Sequence, residues 1–350
     1  MAKTCDIDSN IDVLLRDLRK AIQSARLNFL IGAGCSMPAL APLGDVENQV
    51  QQLYDQNKIE DAESLIFDFL RPFLIVSCKM INRQADPEIN TVLQNYKTFL
   101  NVISHILFRN ANNILPKQAN IFSTNYDLFV EVAAEEIRTG LRVADGFVRG
   151  PLIAGASSFS ISEFFTSVYN NGHSYNYRVE VPTVNLIKLH GSLSWEQLGE
   201  NIKFSVSRLN DLQSEYETLS EILSLNGNER FNRKFCLVLP RKHEKFRDVL
   251  LTRTYYDMLR LYANQLDKEN VLLITEGVSF ADEHISGMTQ GALHNPTLQL
   301  VVFCHTKNHL DEYIAKFEEF NNVLVVYSES EPIDFEKFNS ILSQAIPSDH

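Results

Sequence analysis

The chain has 350 residues, of which 45% are hydrophobic and 22% are charged, a balance typical of globular proteins and unlike that of disordered or fibrous chains. Asp and Glu outnumber Lys and Arg by 44 to 32, so the formal net charge is −12, which argues against direct, nonspecific nucleic-acid binding. No apolar run reaches the roughly 20 residues of a membrane helix, and residues 1–10 lack the apolar core of a signal peptide. We therefore expect a cytoplasmic protein without a membrane partner.

The cysteines are odd in number and widely separated. They are Cys5, Cys35, Cys78, Cys236 and Cys304. Since no two of them form a C-x-x-C pair, the sequence predicts neither a disulfide framework nor a tetrahedral zinc site. We expect reduced thiols and no structural metal.

The first third of the chain is predicted to be mostly helical around one buried strand. Apolar positions at helical spacing predict a helix over 11–22. An apolar run from 27 to 31 stops at a Gly-Ala-Gly sequence, which predicts a strand followed by a tight turn. The segment 46–117 is predicted to be a helical insertion, broken near Pro72 and Pro87.

From Ala119 onward, short apolar runs alternate with helical stretches. The predicted strands are 119–123, 184–189, 235–239, 271–274, 298–303 and 323–327. The segments 128–137 and 310–320 are predicted helices, and 155–178, which is rich in Ser and Asn, is a predicted loop excursion. This alternation favours an α/β fold, with residues 1–350 as one doubly wound domain around a mainly parallel, Rossmann-like sheet.

The first candidate site is Gly32-Ala-Gly34-Cys-Ser36, directly after the predicted strand. Glycines there let the backbone approach a diphosphate closely. The usual third glycine of G-x-G-x-x-G is replaced by Met37, and the G-x-x-x-x-G-K-[ST] loop of ATPases is absent. A plain strand turn therefore remains an alternative.

Polar residues follow two further predicted strands. Thr124, Asn125 and Asp127 come after 119–123, and His190 comes after 184–189. In open α/β sheets ligands bind outside the carboxyl ends of the strands, and histidine titrates close to neutral pH, which suits acid–base chemistry. Helix capping by Asn125 or Asp127, or a structural role for His190, would explain the same residues.

A fourth motif, Gly277-Val-Ser279, follows the predicted strand 271–274 and precedes a helix start at Asp282. An ordinary turn with an N-cap residue explains this pattern as well as a binding loop does.

These four segments, in this order, resemble the sirtuin family, and most closely its bacterial sirtuin-like branch. The resemblance spans roughly Leu27 to Tyr327 and implies NAD as substrate. It implies catalytic roles for Asn125, Asp127 and His190, with Asn125 and Asp127 near the nicotinamide ribose. It implies that the other NAD-binding residues are Gly32, Ala33, Gly34 and Ser36 at the phosphates, Thr124 next to Asn125, and Gly277 and Ser279 on the adenosine side.

Departures from the deacylase pattern refine the expectation. The paired zinc cysteines are missing, the segment from Leu40 to Asp45 lacks the deacylase arginine, and Thr124 stands in place of glutamine. The resemblance therefore implies an NAD hydrolase that releases nicotinamide and ADP-ribose and depletes NAD in antiphage defence. The alternative is a non-catalytic NAD or ADP-ribose sensing or scaffold module that regulates a partner protein.

The insertion also suggests assembly. It carries apolar residues that one domain need not bury completely, namely Phe69, Phe73, Leu74, Ile75 and Val76. Exposed apolar patches commonly mark interfaces, so we expect a homo-oligomer. The family resemblance further implies a separately encoded, HerA-type ring ATPase as a partner.

Overall fold

The structure is a computed structural model that describes residues 2–42, 44, 46–109, 115–137, 139–149, 157–171, 178–198, 201–222, 225–232, 234–238 and 253–346. The strands within these residues are β1 (Lys3–Asp6), β2 (Arg26–Ile31), β3 (Gln118–Ser123), β4 (Arg142–Ala144), β5 (Phe147–Arg149), β6 (Ser157–Phe159), β7 (Tyr169–Asn171), β8 (Arg178–Glu180), β9 (Thr183–Lys188), β10 (Trp195–Leu198), β11 (Asn201–Phe204), β12 (Val271–Glu276), β13 (Leu298–Phe303) and β14 (Val323–Tyr327).

The α-helices of the same residues are α1 (Ile7–Ser24), α2 (Val46–Asp55), α3 (Ile59–Ile81), α4 (Pro87–Arg109), α5 (Phe129–Glu136), α6 (Leu209–Ile222), α7 (Leu225–Asn232), α8 (Arg253–Leu266), α9 (Glu283–Ala292), α10 (Leu310–Lys316) and α11 (Phe335–Ala345). No helix in this part of the chain combines the length and the apolar character needed to cross a bilayer.

Eight strands form one sheet in the order β1-β14-β13-β12-β2-β3-β9-β4, and every neighbouring pair is parallel. From β2 the chain moves outward to β3 and β9, then crosses to β12 and moves outward again to β13 and β14. This order is that of a doubly wound, Rossmann-like sheet. The predicted fold class is confirmed, and the winding reverses between β2 and β12.

The core lies on both faces of the large sheet, whose central strands are mainly apolar. All six residues of β12 are buried, as a strand covered on both faces requires. Its alternate side chains enter different layers: Leu272 and Ile274 pack with α1, α3, α4 and α11, whereas Leu273 packs with α8, α9 and α10. Helices α3 and α4, together with α1 and α11, therefore cover one face of the sheet.

Short strands lie beside this sheet. β10, β11, β6 and β5 form an antiparallel sheet, and β7 pairs with β8. The described part of the predicted excursion 155–178 thus contains β6, a short 3-10 helix (Ile161–Phe165) and β7.

Three local predictions are wrong. α3 continues through Pro72, because burying Phe67, Leu70 and Leu74, at about 1.5–3 kcal/mol each, offsets the roughly 3 kcal/mol cost of an interior proline. The segment 235–239 forms no strand within its described residues, where Leu237 makes only an isolated bridge. α10 ends at Lys316, and not at Phe320, because the next residue is held in the core outside the helical conformation. The predicted break at Pro87 is confirmed, since α4 begins there.

The apolar residues used to predict assembly are largely covered by the chain itself. Phe73, Leu74 and Val76 are buried, and Phe69 and Ile75 are half-buried. This face of the insertion therefore does not support the expected homo-oligomer.

Candidate functional site

The four motifs meet at one edge of the sheet. They follow β12, β2, β3 and β9, which are adjacent in that order, and parallel strands end on the same side. The edge also contains the point between β2 and β12 where the winding reverses. Ligands of doubly wound sheets bind at such a point.

The glycine turn after β2 packs directly on the turn after β12. Gly277 has a φ of +67°, and a Cβ atom on it would lie 2.6 Å from the amide nitrogen of Cys35. A Cβ atom on Gly32 would lie 2.4 Å from the carbonyl oxygen of Gly277, and one on Gly34 would lie 2.6 Å from its Cα. Glycine is thus required at these three positions because two backbones touch.

Hydrogen bonds hold this contact together. The amide of Gly32 donates to Glu276 O at 3.1 Å, that of Gly34 to Gly277 O at 3.1 Å, and that of Cys35 to Gly32 O at 3.0 Å. These three donors are engaged within the fold. A diphosphate on this turn would therefore meet a preformed surface on which Ala33 and Gly34 are half-buried, and not these three N–H groups.

Ser36 and Asp127 form a buried pair. The Ser36 hydroxyl donates to Asp127 Oδ2 at 2.7 Å and lies 3.0 Å from the hydroxyl of Tyr96. Asp127 Oδ1 accepts from the amide of Phe129, the first residue of α5, at 3.2 Å. Both Ser36 and Asp127 are 1% exposed, so the structure places them inside the wall of the site.

The side chain of Asn125 is held in one orientation. Its Nδ2 donates to Gly32 O at 2.9 Å, and it also lies 3.2 Å from Ser36 Oγ and 3.3 Å from the Tyr96 hydroxyl. A backbone carbonyl can only accept, so the amide nitrogen must face Gly32. Asn125 Oδ1 accepts no hydrogen bond from any residue that the structure describes, which leaves this oxygen for a ligand or a water molecule.

Lys188, the last residue of β9, supports the loop that follows β3. Its side chain is 2% exposed, and its Nζ donates to the carbonyl oxygens of Asn125, at 3.2 Å, and of Asp127. Glu131 lies 3.4 Å from the same ammonium. Burial raises the pKa of Glu131, and the charge of Lys188 opposes that rise. Sequence analysis missed this brace, whose signal is a single lysine within the apolar run of β9.

His190 is paired with a residue from the other half of the sheet. Its Nε2 lies 3.0 Å from Oδ2 of Asp282, while Oδ1 of Asp282 caps α9 by accepting from the amides of His284 and Ile285. A carboxylate at this distance favours a proton on Nε2. No described residue hydrogen-bonds to His190 Nδ1, so this nitrogen is available as a proton acceptor.

Asn125 and His190 occupy equivalent positions on neighbouring strands. Ser123 and Lys188 are register partners of β3 and β9, and each candidate residue stands two positions further along. The ring of Tyr126, which follows Asn125, has its centroid 6.4 Å from that of His190.

The remaining candidates lie at the rim. Thr124 is half-buried and its amide donates to Ile31 O at 3.2 Å. Ser279 is exposed and its hydroxyl accepts from the amide of Ala281 at 3.3 Å.

Glu276, which sequence analysis did not single out, lies behind the contact of the two turns. It is 3% exposed, and its Oε2 has no hydrogen-bond partner among the residues that the structure describes. Burial, and secondarily the charge of Asp334, raises the pKa of this carboxyl group well above its usual range. Its only sequence signal is an acidic residue at the end of a mainly apolar strand.

The residues described contain no group of three or more His, Cys, Asp or Glu side chains arranged to hold a metal ion. Residues 119–326, more than half of the 350, match the family model of the SIR2-like domain. The match includes the motifs that follow β3, β9 and β12, and the glycine turn after β2 precedes it. No curated protein matches the chain.

Proposed function

The chain belongs to the SIR2-like domain family, and from this premise we propose that it is an NAD hydrolase that releases nicotinamide and ADP-ribose. The supporting observation is that Asn125 Oδ1 and His190 Nδ1, two acceptor atoms without partners among the described residues, stand at equivalent ends of adjacent strands. Asn125 also donates to Gly32 O in the glycine turn after β2.

The dinucleotide would cross the point where the winding reverses. In this proposal the diphosphate lies on Gly32, Ala33 and Gly34, and the adenosine side extends over Gly277 and Ser279. The nicotinamide ribose then lies toward the loop after β3, which begins with Thr124. This path follows the rule for ligands of doubly wound sheets.

Cleavage of the nicotinamide–ribose bond develops oxocarbenium-like positive charge on the sugar. Asn125 Oδ1 accepts a hydrogen bond from the attacking water and holds it against the ribose. His190 Nδ1 takes the proton of that water, and Asp282 stabilises the imidazolium that forms. Nicotinamide departs as a neutral molecule, so no acid is needed for it.

Asp127 has a supporting role in this proposal. Its two oxygens accept from Ser36 and from the amide of Phe129, so it fixes the loop that carries Asn125. Its negative charge also favours the developing cation through the wall of the site.

The rival function is a sensor that binds NAD or ADP-ribose without turnover. One observation favours it: Asn125 is only 6% exposed, and its amide nitrogen faces three protein oxygens. A structural asparagine would be held in the same way.

Incubation of the purified chain with NAD, followed by chromatographic identification of products, separates the two functions. We expect nicotinamide and ADP-ribose, and a loss of turnover of about 10²- to 10⁴-fold in Asn125→Ala and in His190→Ala, with melting temperatures within a few degrees of wild type. His294→Ala, at an exposed histidine, is the matched control and should remain fully active. NAD binding without any product, or full activity in either site variant, would contradict the proposal.

The same proposal assigns the activity to antiphage defence by NAD depletion, with control by self-assembly and by a HerA-type ring ATPase. Its support is the resemblance of the motifs, together with the need to restrain an enzyme that consumes a central metabolite. Size-exclusion chromatography with light scattering, alone and with the ATPase, tests it. A strict monomer with full turnover in isolation would contradict both assembly and restraint.

A further inference from the structure

A cavity of about 220 Å³ lies at the opposite, amino edge of the sheet. It opens beside the first residues of β2 and β3, and six-residue strands separate it from the candidate NAD site by about 20 Å. Its polar lining includes Arg26, Gln118, Gln265 and Lys268. None of these residues takes part in the proposed hydrolysis.

Two cations face this cavity without a balancing acid. Among the described residues, neither Arg26 nor Lys268 forms an ion pair with a carboxylate, although the chain contains 44 acidic residues. Asp267 and Glu269 flank Lys268 in sequence but do not line the cavity. The nearest partner of the Lys268 ammonium is the neutral Oε1 of Gln265, at 2.7 Å. Within the described part of the chain, the lining of this cavity therefore carries positive charge that no carboxylate balances, in a protein that is acidic as a whole.

The charge of Lys268 is also disfavoured there. Partial burial lowers the pKa of Lys268, and the neighbouring charge of Arg26 lowers it further. A bound anion would oppose both effects. Its negative charge would stabilise the partly buried ammonium of Lys268 and offset the repulsion between Lys268 and Arg26.

The side-chain amides of Asn120 and Gln118, which also line the cavity, already have hydrogen-bond partners within the fold. Asn28, Asn120 and Asn185 are register partners on β2, β3 and β9, and their amides form a ladder. Nδ2 of Asn120 donates to Asn28 at 2.7 Å, and Nδ2 of Asn185 donates to Asn120 at 2.9 Å. Nε2 of Gln118 donates to the hydroxyl oxygen of Ser167 at 2.9 Å. What the cavity offers a ligand is therefore the charge of Arg26 and Lys268.

We propose that this cavity binds a small tetrahedral oxyanion, namely inorganic phosphate or the phosphate group of a small phosphomonoester. The forked guanidinium of Arg26 suits two oxygens of such a group, and the ammonium of Lys268 adds a second charge. The volume is below the roughly 300–1,000 Å³ of sites for drug-sized ligands, which limits the occupant to a few heavy atoms beyond the phosphate.

Isothermal titration calorimetry tests the site with two probes, inorganic phosphate and ribose 5-phosphate. We expect Arg26→Gln and Lys268→Gln each to weaken binding by about tenfold or more, as loss of a charged hydrogen-bond donor does. Lys268→Arg should retain binding. Lys20→Gln, at an exposed lysine, is the control for net charge and should bind like wild type. The probe that binds more tightly identifies whether the site prefers free phosphate or a phosphomonoester, and either preference supports the proposal.

Three results would overturn the proposal. They are no binding of either probe by wild type, unchanged binding in both cavity variants when each shows the wild-type melting temperature, and a loss in Lys20→Gln equal to that in the cavity variants. Because the proposed NAD site places a diphosphate on the glycine turn, Gly277→Ala serves as a further arm. Binding lost in Gly277→Ala but kept in both cavity variants would assign the anion to that turn and overturn the proposal as well. None of these readouts depends on NAD turnover.

Discussion

Nε2 of His190 lies 3.0 Å from Oδ2 of Asp282, although His190 follows β9 and Asp282 follows β12 on the other side of the winding reversal. The second oxygen of Asp282 caps α9. One carboxylate therefore both caps a helix and lies against the candidate base.

Asp282→Asn separates these two roles. Asparagine caps helices about as well as aspartate, so the melting temperature should stay within a few degrees. Turnover should fall by at least about tenfold, because the imidazolium that forms on His190 loses its anionic partner. Asp6→Asn changes the N-cap of α1 and should leave turnover unchanged. Unaltered turnover in Asp282→Asn would remove the pairing from the mechanism.

Gly277→Ala should disrupt the contact between the two turns. The added Cβ would lie 2.6 Å from a backbone nitrogen at a φ of +67°, so we expect a loss of about 1–3 kcal/mol in stability together with a raised KM for NAD. Gly287→Ala is the matched control, since it lies inside α9 with nothing within 4 Å of the new atom. That variant should be neutral or up to about 1 kcal/mol more stable. Urea unfolding and steady-state kinetics compare the two, and equal behaviour would refute the packing argument.

Lys188→Met should be among the most destabilising single changes at the site. It leaves the buried carboxyl group of Glu131 and two carbonyl oxygens without their cation, and breaking such a buried pair costs about 3–5 kcal/mol. Adding Glu131→Gln should restore part of the loss, which a double-mutant cycle by urea unfolding measures. Lys307→Met, which breaks an exposed pair with Glu329, should change the free energy of unfolding very little. A similar loss in both lysine variants would contradict the bracing role.

Glu276→Gln should stabilise the protein more as the pH rises. The folded state raises the pKa of this carboxyl group well above its usual value of 4.5. Below that value both states are protonated and the group contributes no pH dependence. Above it the unfolded state ionises first, so wild type loses stability with increasing pH. Urea unfolding of wild type and variant should therefore diverge from pH 5 to pH 8, and parallel curves would show that Glu276 ionises normally.

Chelation should change neither stability nor turnover, because five scattered cysteines offer no paired zinc ligands. Burial raises the pKa of Cys78, Cys236 and Cys304 to about 11, so these thiols stay protonated and react slowly with thiol reagents. Elemental analysis and melting curves with EDTA provide the measurement. Stoichiometric zinc would contradict the prediction and reopen a deacylase function.

The fold was predictable because buried parallel strands appear as predominantly apolar runs, as in β2 and β12, and because helices repeat their apolar positions. The errors arose where packing outweighed local preference. Pro72 lies within a helix that the core stabilises, and Leu237 pairs with a single glycine by a contact across the fold.

The candidate site was only partly predictable, for a physical reason. Glycine turns and polar residues directly after strands are local patterns, so Gly32, Asn125, His190 and Gly277 could be selected from sequence. Sequence by itself also determined the acidic charge and the unpaired cysteines. The partners of these residues come from distant segments: Tyr96 for Asn125 and Asp282 for His190.

No periodicity in a sequence encodes such pairs, because they depend on the lateral order of strands. Only the tertiary structure decided that β12 lies against β2, which makes Gly277 touch the turn after Gly32. The same order brings Arg26 and Lys268 to one cavity at the far edge of the sheet. Strand order is set by how whole helices and strands share buried apolar surface, a property of the complete chain that no single segment carries.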